Sequence, residues 1–246
     1  MWARLAAVLL LAAAGGCVTY EYEHEFWVEV DGSGTVFVTG QPALWSAFKG
    51  FPAPEADADA LRRAARELFE RSSLRVRKVT VTSRGGRRYL FVAADFGDVN
   101  RLSGTPAFPD LRIRLQPEGG ERLRLEGSWR PPGAAGALPV EGLMAVRFHL
   151  PSKIHSHHNA FEGVERGNIV AWRQPLTQAL AGQPLEFGAV MGARSILFST
   201  ITIFAVAIAG GLAIVALAVY ALLRTGRRRA QEAAVADRPG SPTASG

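Results

Sequence analysis

The sequence lacks several features on which whole classes of protein depend. Its one cysteine, Cys17, excludes a disulfide within the chain. It contains no GxSxG nucleophile elbow, no Walker phosphate-binding loop, no GxGxxG dinucleotide-binding motif and no HExxH zinc motif. These are the common signals of hydrolases, nucleotide-binding enzymes and zinc peptidases. We therefore predict that the protein is not an enzyme and uses no cofactor.

The central part of the chain also lacks net charge, although the whole sequence has a pI of about 10.1 and a net charge of +6. Residues 18–193 contain 21 lysines and arginines against 20 aspartates and glutamates. The surplus of positive charge lies in the two ends of the chain, mostly beside a long apolar run. A phosphate-binding surface needs basic residues gathered on the folded domain. We therefore predict no nucleic-acid partner.

The N-terminus has the parts of a secretory signal. Arg4 precedes an apolar run from Leu5 to Ala14, and two glycines lead to Cys17. The run is too short for a bilayer, which needs about 20 apolar residues, so we assign residues 1–16 to a signal peptide. The ending Ala-Gly-Gly-Cys resembles the lipobox of bacterial lipoproteins, which implies acylation of Cys17. The alternative is an ordinary signal peptide with an incidental cysteine.

The C-terminal part contains a long stretch without charge. No charged residue occurs from Ser195 to Leu223, and a helix of that length exceeds a hydrocarbon core of about 30 Å. We predict one transmembrane helix over residues 195–223. Four arginines follow it within six residues and one precedes it, so the positive-inside rule puts the C-terminus in the cytoplasm and the domain outside. Residues 224–246 are expected to form a basic, disordered tail.

Residues 17–193 carry mainly strand patterns. From Tyr20 to Val30, aromatic and β-branched residues alternate with polar ones that include Glu21, Glu23 and Glu25. A period of two puts the apolar residues on one face and the carboxylates on an exposed face. The segment Glu55–Arg71 has helical spacing instead. A short helix is predicted near Leu176–Ala181. The other predicted strands are Thr35–Thr39, Leu74–Thr82, Arg87–Ala94, a hairpin at Leu111–Leu115 and Leu123–Leu125, Leu143–Leu150, Asn168–Trp172 and Leu185–Met191.

These patterns predict the fold class. No alternation of strand, helix and strand occurs, and tight glycine turns separate neighbouring strands. We therefore predict an α+β domain, rich in antiparallel β-sheet, with one main amphipathic helix, followed by the single C-terminal transmembrane helix.

The segment from Val146 to Trp172 has a recognisable pattern. A predicted strand ends at Pro151, and Lys153 and Ile154 follow. Asn159 then precedes the run Gly-Asn-Ile-Val-Ala-Trp, which ends at Trp172. This resembles the LppM-like domain of bacterial membrane-anchored lipoproteins, with a serine at position 152 in place of the usual glycine. The resemblance extends to the order of signal, cysteine, α+β domain and terminal span. It implies an envelope-anchored module without known catalysis that contacts lipids or other envelope components.

Within this pattern, Lys153, Asn159 and Trp172 are candidate ligand-binding residues. A structural interpretation of the same residues is available. Asn159 suits a turn, and Trp172 alternates with Val170 and would pack on the sheet.

Four arginines form a second group of candidates. Arg112, Arg114, Arg122 and Arg124 alternate with apolar residues, so they would lie on one face of a hairpin. They either pair with the glutamates of the first strand or meet anionic lipid headgroups near a membrane.

Four of the five histidines lie from His149 to His158. Imidazoles can bind zinc or copper, which makes His155, His157 and His158 weak candidates for metal ligands. No cysteine is at hand, and neighbouring residues of an extended segment point to opposite sides. We therefore predict no metal site and expect a solvated or packed loop, with a pH-sensitive loop as the alternative.

Together these observations predict a single-pass protein of the cytoplasmic membrane whose domain binds a lipid, a glycolipid or an envelope protein. One alternative is a structural or assembly factor that acts through its transmembrane helix, where Gly210 and Gly211 would allow close helix association. The other is a metal-binding protein that uses the His149–His158 loop.

Overall fold

The computed structural model describes residues 20–50, 57–133, 141–160, 164–193 and 196–236. The predicted signal peptide, Cys17 and the last ten residues of the predicted tail lie outside these ranges. The chain divides into two units, Met1–Ser195 and Ile196–Gly246. The first is rich in β-sheet with a few helices, and the second contains one long apolar helix, which confirms the predicted fold class.

The first unit contains eleven strands and three α-helices among its described residues. In chain order they are β1 Tyr22–Val28, β2 Gly34–Gly40, α1 Pro42–Lys49, α2 Ala58–Glu70, β3 Arg75–Arg84, β4 Arg87–Phe96, the 3₁₀ helix Val99–Arg101, β5 Leu111–Gly119, β6 Arg122–Trp129, β7 Leu143–His149, β8 Ile154–His158, β9 Val164–Arg166, β10 Ile169–Pro175, α3 Leu176–Leu180 and β11 Leu185–Gly192.

The strands form two sheets rather than the one antiparallel sheet that the sequence suggests. Seven strands follow the order β3-β4-β2-β1-β7-β10-β9, and four follow the order β5-β6-β11-β8. Within the seven-stranded sheet, β1 pairs in parallel with β7, while its other neighbour β2 is antiparallel. A parallel pair needs a long connection between its strands, and more than a hundred residues separate β1 from β7.

The alternation of apolar and polar residues in β1 puts one row of its side chains in the core. Tyr22, His24, Phe26 and Val28 are all buried on the inner face. Tyr22 stacks with Trp129 of β6 at a ring distance of 6.1 Å, which joins the two sheets through one core.

The helices cover the rest of the inner face. Helix α2 starts where the Asp57 carboxylate accepts the N–H of Ala60 at 2.6 Å, and it buries Leu61, Ala65, Leu68 and Phe69. The sequence analysis does not predict α1, whose eight residues are too few for a clear period. Its boundary signals are nevertheless present, since Pro42 occupies the first turn and Gly50 ends the helix with a left-handed φ of 61°.

The histidine-rich segment is a strand and not a loop. β8 pairs with β11, with His158 opposite Gly188 and His157 opposite Ala189. The strand Ile-His-Ser-His-His has no alternation of apolar and polar residues, because it lies at the edge of its sheet and its pairing comes from β11.

The opposite edge of the four-stranded sheet is formed by β5, and two side chains occupy its outer backbone groups. The Ser103 hydroxyl receives the N–H of Ile113 at 2.9 Å and donates to the carbonyl of the same residue at 3.2 Å. The Asn100 amide does the same for Leu115, accepting at 2.7 Å and donating at 3.2 Å. These side chains therefore take the place of a neighbouring strand.

The second unit is the helix α4, Ile196–Ala236. Its segment Thr200–Arg227, with a mean hydropathy of 2.6, is the one helix of the described residues that is long and apolar enough to cross a membrane. It overlaps the predicted span of 195–223. Residues 224–236, which the sequence analysis assigns to a disordered tail, continue the helix instead, since alanine, arginine, glutamine and glutamate are strong helix formers.

The pairing of β1, β2 and β4 predicts that Gly34 tolerates no side chain. A Cβ at this position would lie 1.9 Å from the carbonyl oxygen of Trp27 and 2.8 Å from the Phe96 ring. We expect Gly34→Ala to lower the free energy of unfolding by about 3 kcal/mol, measured by chemical unfolding of the detergent-solubilised chain. Gly97→Ala is the control, because a Cβ there meets no described atom within 4 Å. Equal stability of the two variants would contradict the strand register.

Candidate functional site

The four predicted arginines lie on one face of the four-stranded sheet. In the β5–β6 register, Arg112 is opposite Ser128, Arg114 is opposite Glu126, and Arg124 is opposite Gln116. Residues opposite each other share a face, and Arg122 lies two residues from Arg124 on the same strand. The apolar residues between them, Leu111, Ile113, Leu123 and Leu125, are buried on the other face.

These arginines do not pair with the glutamates of β1, which the sequence analysis offers as one alternative. Arg124 forms ion pairs with Glu118 and with Glu126, the latter at 3.3 Å. Arg112 donates to the carbonyl oxygens of Pro109 and Leu111 at 3.2 and 3.0 Å. Arg114 and Arg122 are exposed and form no ion pair within the described residues.

The glutamates of β1 have nearer partners, which the parallel neighbour β7 supplies in part. Glu23 pairs with Arg147 of β7 at 3.3 Å. Glu25 lies 2.7 Å from Nε2 of His149, also on β7, and accepts the indole N–H of Trp27 at 3.2 Å. Burial raises the pKa of Glu25, but hydrogen bonds from His149 and Trp27 outweigh it and leave a net lowered pKa. The outer face of β1 is thus a layer of paired charges rather than a simply solvated face.

Glu21 is the most enclosed of these carboxylates. It accepts hydrogen bonds from the Tyr89 hydroxyl at 2.7 Å, from the Gln41 amide at 2.5 Å and from Arg87 at 3.2 Å. Burial, and then the hydrogen bond to Glu21 and the charge of that carboxylate, raise the pKa of Tyr89. A carboxylate with three donors has a structural role in joining β1, β4 and the start of α1.

A groove lies on the face that carries the arginines, and we call it the arginine groove. It has a volume of about 490 Å³, within the range of small-molecule sites. Its floor is built by β5, β6 and β11, and the ring of His158 covers Gly188 closely enough that a Cβ there would lie 2.0 Å from Cε1. The lining residues are Ser103, Arg112, Ile113, Arg114, Glu126, Gly127, Ser128, His158, Glu186 and Phe187.

The three residues selected from the Val146–Trp172 pattern do not form one exposed site. Trp172 is fully buried, packs against Phe148 and Phe187, and donates its indole N–H to the carbonyl of His158 at 2.6 Å. It offers no surface to a ligand, in line with the packing interpretation. Asn159 directly follows β8 and has a left-handed φ of 57°, as a turn residue does. Lys153 is exposed directly before the same strand.

The candidate metal ligands also lie apart. His158 covers Gly188 on the outer face, whereas His157 is opposite Ala189, whose side chain is buried in the core. His155 lies beside Gly192, four residues further along β11, which is about 13 Å at the rise of a strand. No group of three or more histidine, cysteine, aspartate or glutamate residues in the described ranges could hold a metal ion.

The sequence analysis misses two titratable groups that lie against aromatic side chains of the core. The ammonium of Lys49 donates to the carbonyl of Ala107 and lies 4.6 Å from the centre of the Phe108 ring. Burial lowers the pKa of Lys49 to about 7, partly opposed by the charge of Asp110. A lysine in the last turn of a helix ordinarily indicates an exposed residue that complements the helix dipole, so the pattern gives no warning of its burial.

His24 is the second of these groups. Its ring lies among aromatic side chains, 5.5 Å from Phe108 and 5.6 Å from Trp129, and Nε2 lies 3.3 Å from the Tyr22 hydroxyl. Burial, and then the charge of Lys49, hold the pKa of His24 well below its ordinary value. Its place in the buried row of β1 could be read from the alternation of the strand.

Comparison with known proteins gives one low similarity. No family model matches the chain, and no curated protein matches it. Among solved structures, the chain is similar to the folded domain of the LppM protein of Mycobacterium tuberculosis, determined by NMR. The identity is 14%, the TM-score is 0.38, and the match covers 71% of this chain and 90% of that one. Membership of the LppM-like family stays a prediction of the sequence.

The environment of Lys49 predicts a pH dependence of stability. Its pKa is about 7 in the folded chain and about 10.4 in an unfolded one, so between these values the unfolded state binds more protons and stability rises with pH. We expect the free energy of unfolding to rise by about 2 kcal/mol from pH 7 to pH 9, and Lys49→Met to remove this rise.

Unfolding by denaturant, followed by tryptophan fluorescence at each pH, measures this difference. Lys78→Met is the matched control, since Lys78 is exposed on β3 and should keep the pH profile of the unchanged chain. A Lys49→Met profile that parallels the control would show that Lys49 is not the group responsible.

Proposed function

We propose that the protein is a membrane-anchored envelope protein whose extracytoplasmic domain binds an anionic lipid, a glycolipid or an envelope protein in the arginine groove. One observation carries the proposal. Arg114 lies exposed at a groove of about 490 Å³ and forms no ion pair within the described residues, although Glu126 is directly opposite on β6. That glutamate is engaged by Arg124, which leaves the guanidinium of Arg114 available to a ligand.

The chemistry of the groove favours an anionic group on the ligand. A guanidinium presents its N–H donors in a planar fork that fits phosphate or carboxylate oxygens. Arg112 is held in place by the carbonyls of Pro109 and Leu111, so less side-chain freedom is lost when it binds. Glu126 and Glu186 also line the groove and would accept hydrogen bonds from hydroxyl groups. A headgroup with both an anion and hydroxyls would satisfy both kinds of residue.

The membrane location in this proposal has separate support. The segment Thr200–Arg227 has the length and hydropathy of a span, and basic residues follow its apolar part. The N-terminal signal and the lipobox-like Cys17 agree with export and a second anchor. We propose binding rather than catalysis as the role of the domain, in keeping with the lack of catalytic motifs in the sequence.

The proposed orientation predicts the outcome of protease protection. In intact bacterial spheroplasts that express the chain with a C-terminal tag, added protease should degrade the domain and leave a tagged fragment of the helix. Permeabilising the membrane with detergent should then expose the tag to cleavage, which serves as the control. Loss of the tag in intact spheroplasts would mean that the C-terminus is outside, contrary to the proposal.

The proposed binding site predicts a loss of ligand when the groove loses its charge. We expect chains extracted gently with their surrounding lipid to be enriched in one anionic lipid or glycolipid, as measured by mass spectrometry. Arg112→Gln combined with Arg114→Gln should reduce this enrichment at least tenfold, since each charge-assisted hydrogen bond contributes about 1.5–3 kcal/mol.

A control pair removes the same charge elsewhere. Arg63 lies in the middle of α2 and Arg71 directly after its last residue; both are exposed, and neither forms an ion pair within the described residues. Replacing both with glutamine should leave the enrichment unchanged. Equal enrichment in the groove variant and the unchanged chain would rule out the arginine groove as the binding site.

A further inference from the structure

We infer that a second basic site, formed by Arg122 and Lys153, binds the phosphate of an anionic phospholipid in the membrane that anchors the chain. This inference rests on the proposed function, because it takes α4 as a membrane anchor. It concerns a different surface from the arginine groove, which neither residue lines. We call the new surface the basic rim.

The basic rim surrounds the point at which the chain leaves the four-stranded sheet. Strand β11 lies between β6 and β8, and its last residue is Gly192. On one side Gly192 is opposite Arg122 of β6. On the other side its N–H donates to the carbonyl of Lys153 at 3.3 Å, just before β8. Two basic residues that are 31 positions apart in sequence therefore flank the end of the same strand.

The two basic side chains of the rim form no ion pair within the ranges that the structure describes. Arg122 and Lys153 are both exposed. The turn that precedes β6 brings in one acid, Glu121, whose carbonyl accepts the N–H of Ala193 at 2.8 Å. Among these three residues, two positive charges accompany one negative charge.

The connection between this end of the sheet and α4 is short. Only two residues separate Ala193 from Ile196, the first residue of α4. At 3.8 Å between consecutive Cα atoms, the two residues are at most about 11 Å apart. The headgroup layer adds about 5–7 Å to each side of the hydrocarbon core, and lysine and arginine side chains extend towards it. The basic rim is therefore within reach of headgroup phosphates.

The same geometry separates the rim from the other arginines. Arg112 is opposite Ser128, six residues along β6 from Arg122, which is about 20 Å at the rise of a strand. A headgroup held at the rim cannot contact Arg112 at the same time. The sequence does not distinguish among the four arginines. In the structure, Arg122 is the one that lies opposite Gly192, where β11 ends.

Binding of defined lipids to the full chain tests the inference. The chain in detergent is titrated with dioleoyl phosphatidylglycerol or dioleoyl phosphatidylcholine, and bound lipid is counted by native mass spectrometry. Four arginines at the far end of the span are replaced by glutamine in every sample, so that they supply no competing anionic-lipid site: Arg224, Arg227, Arg228 and Arg229.

We expect Arg122→Gln combined with Lys153→Gln to weaken phosphatidylglycerol binding by roughly tenfold to thirtyfold, because each basic residue near an anionic surface contributes about fivefold. Binding of phosphatidylcholine should not change. The matched control, Arg63→Gln with Lys78→Gln, removes one arginine and one lysine from exposed positions on α2 and β3. It should stay within twofold of the parent chain.

Three results would overturn the inference. In the first, the rim variant binds phosphatidylglycerol as the control does. In the second, Arg112→Gln with Arg114→Gln causes the whole loss, which would assign the lipid to the arginine groove and support the proposed function alone. In the third, inorganic phosphate at about 10 mM displaces the lipid completely, which would identify a site for free phosphate. Failure of the rim leaves the groove experiment intact, so the two proposals fail separately.

Discussion

The fold depends on strand β1, because both of its edges and both of its faces are used. It pairs with β2 on one edge and with β7 on the other, so without it the seven-stranded sheet would fall into two separate groups of three strands. On its inner face, Tyr22 stacks with Trp129 and so joins the two sheets. On its outer face, Glu23 pairs with Arg147 of β7, and Glu25 pairs with His149 of the same strand. Packing and charge therefore specify the same register.

Local patterns predict much of this fold. The alternation in β1, the spacing of α2 and the glycine turns of the hairpins are properties of neighbouring residues, and the structure contains each of these elements. What could not be predicted is decided by residues distant in sequence. The parallel pairing of β1 with β7, the division into two sheets and the formation of β8 all depend on partners that only the folded chain brings together.

The candidate sites show the same limit. Periodicity correctly puts Arg112, Arg114, Arg122 and Arg124 on one face, but it cannot distinguish their surroundings. Arg124 is neutralised by two glutamates, Arg112 is fixed by carbonyl oxygens, and the remaining two arginines form no ion pair within the described residues. Lys49 is the converse case, a residue whose sequence context indicates exposure and whose ammonium lies against aromatic rings. Charge pairing and burial are non-local properties.

The edge of β5 has a consequence for association between copies of the chain. An open strand edge allows a neighbouring chain to extend the sheet through backbone hydrogen bonds. Here the side chains of Asn100 and Ser103 already occupy the outward N–H and C=O groups of Leu115 and Ile113. A second copy of the chain therefore cannot form backbone hydrogen bonds with these groups of β5. These four hydrogen bonds therefore block extension of the sheet along this part of β5.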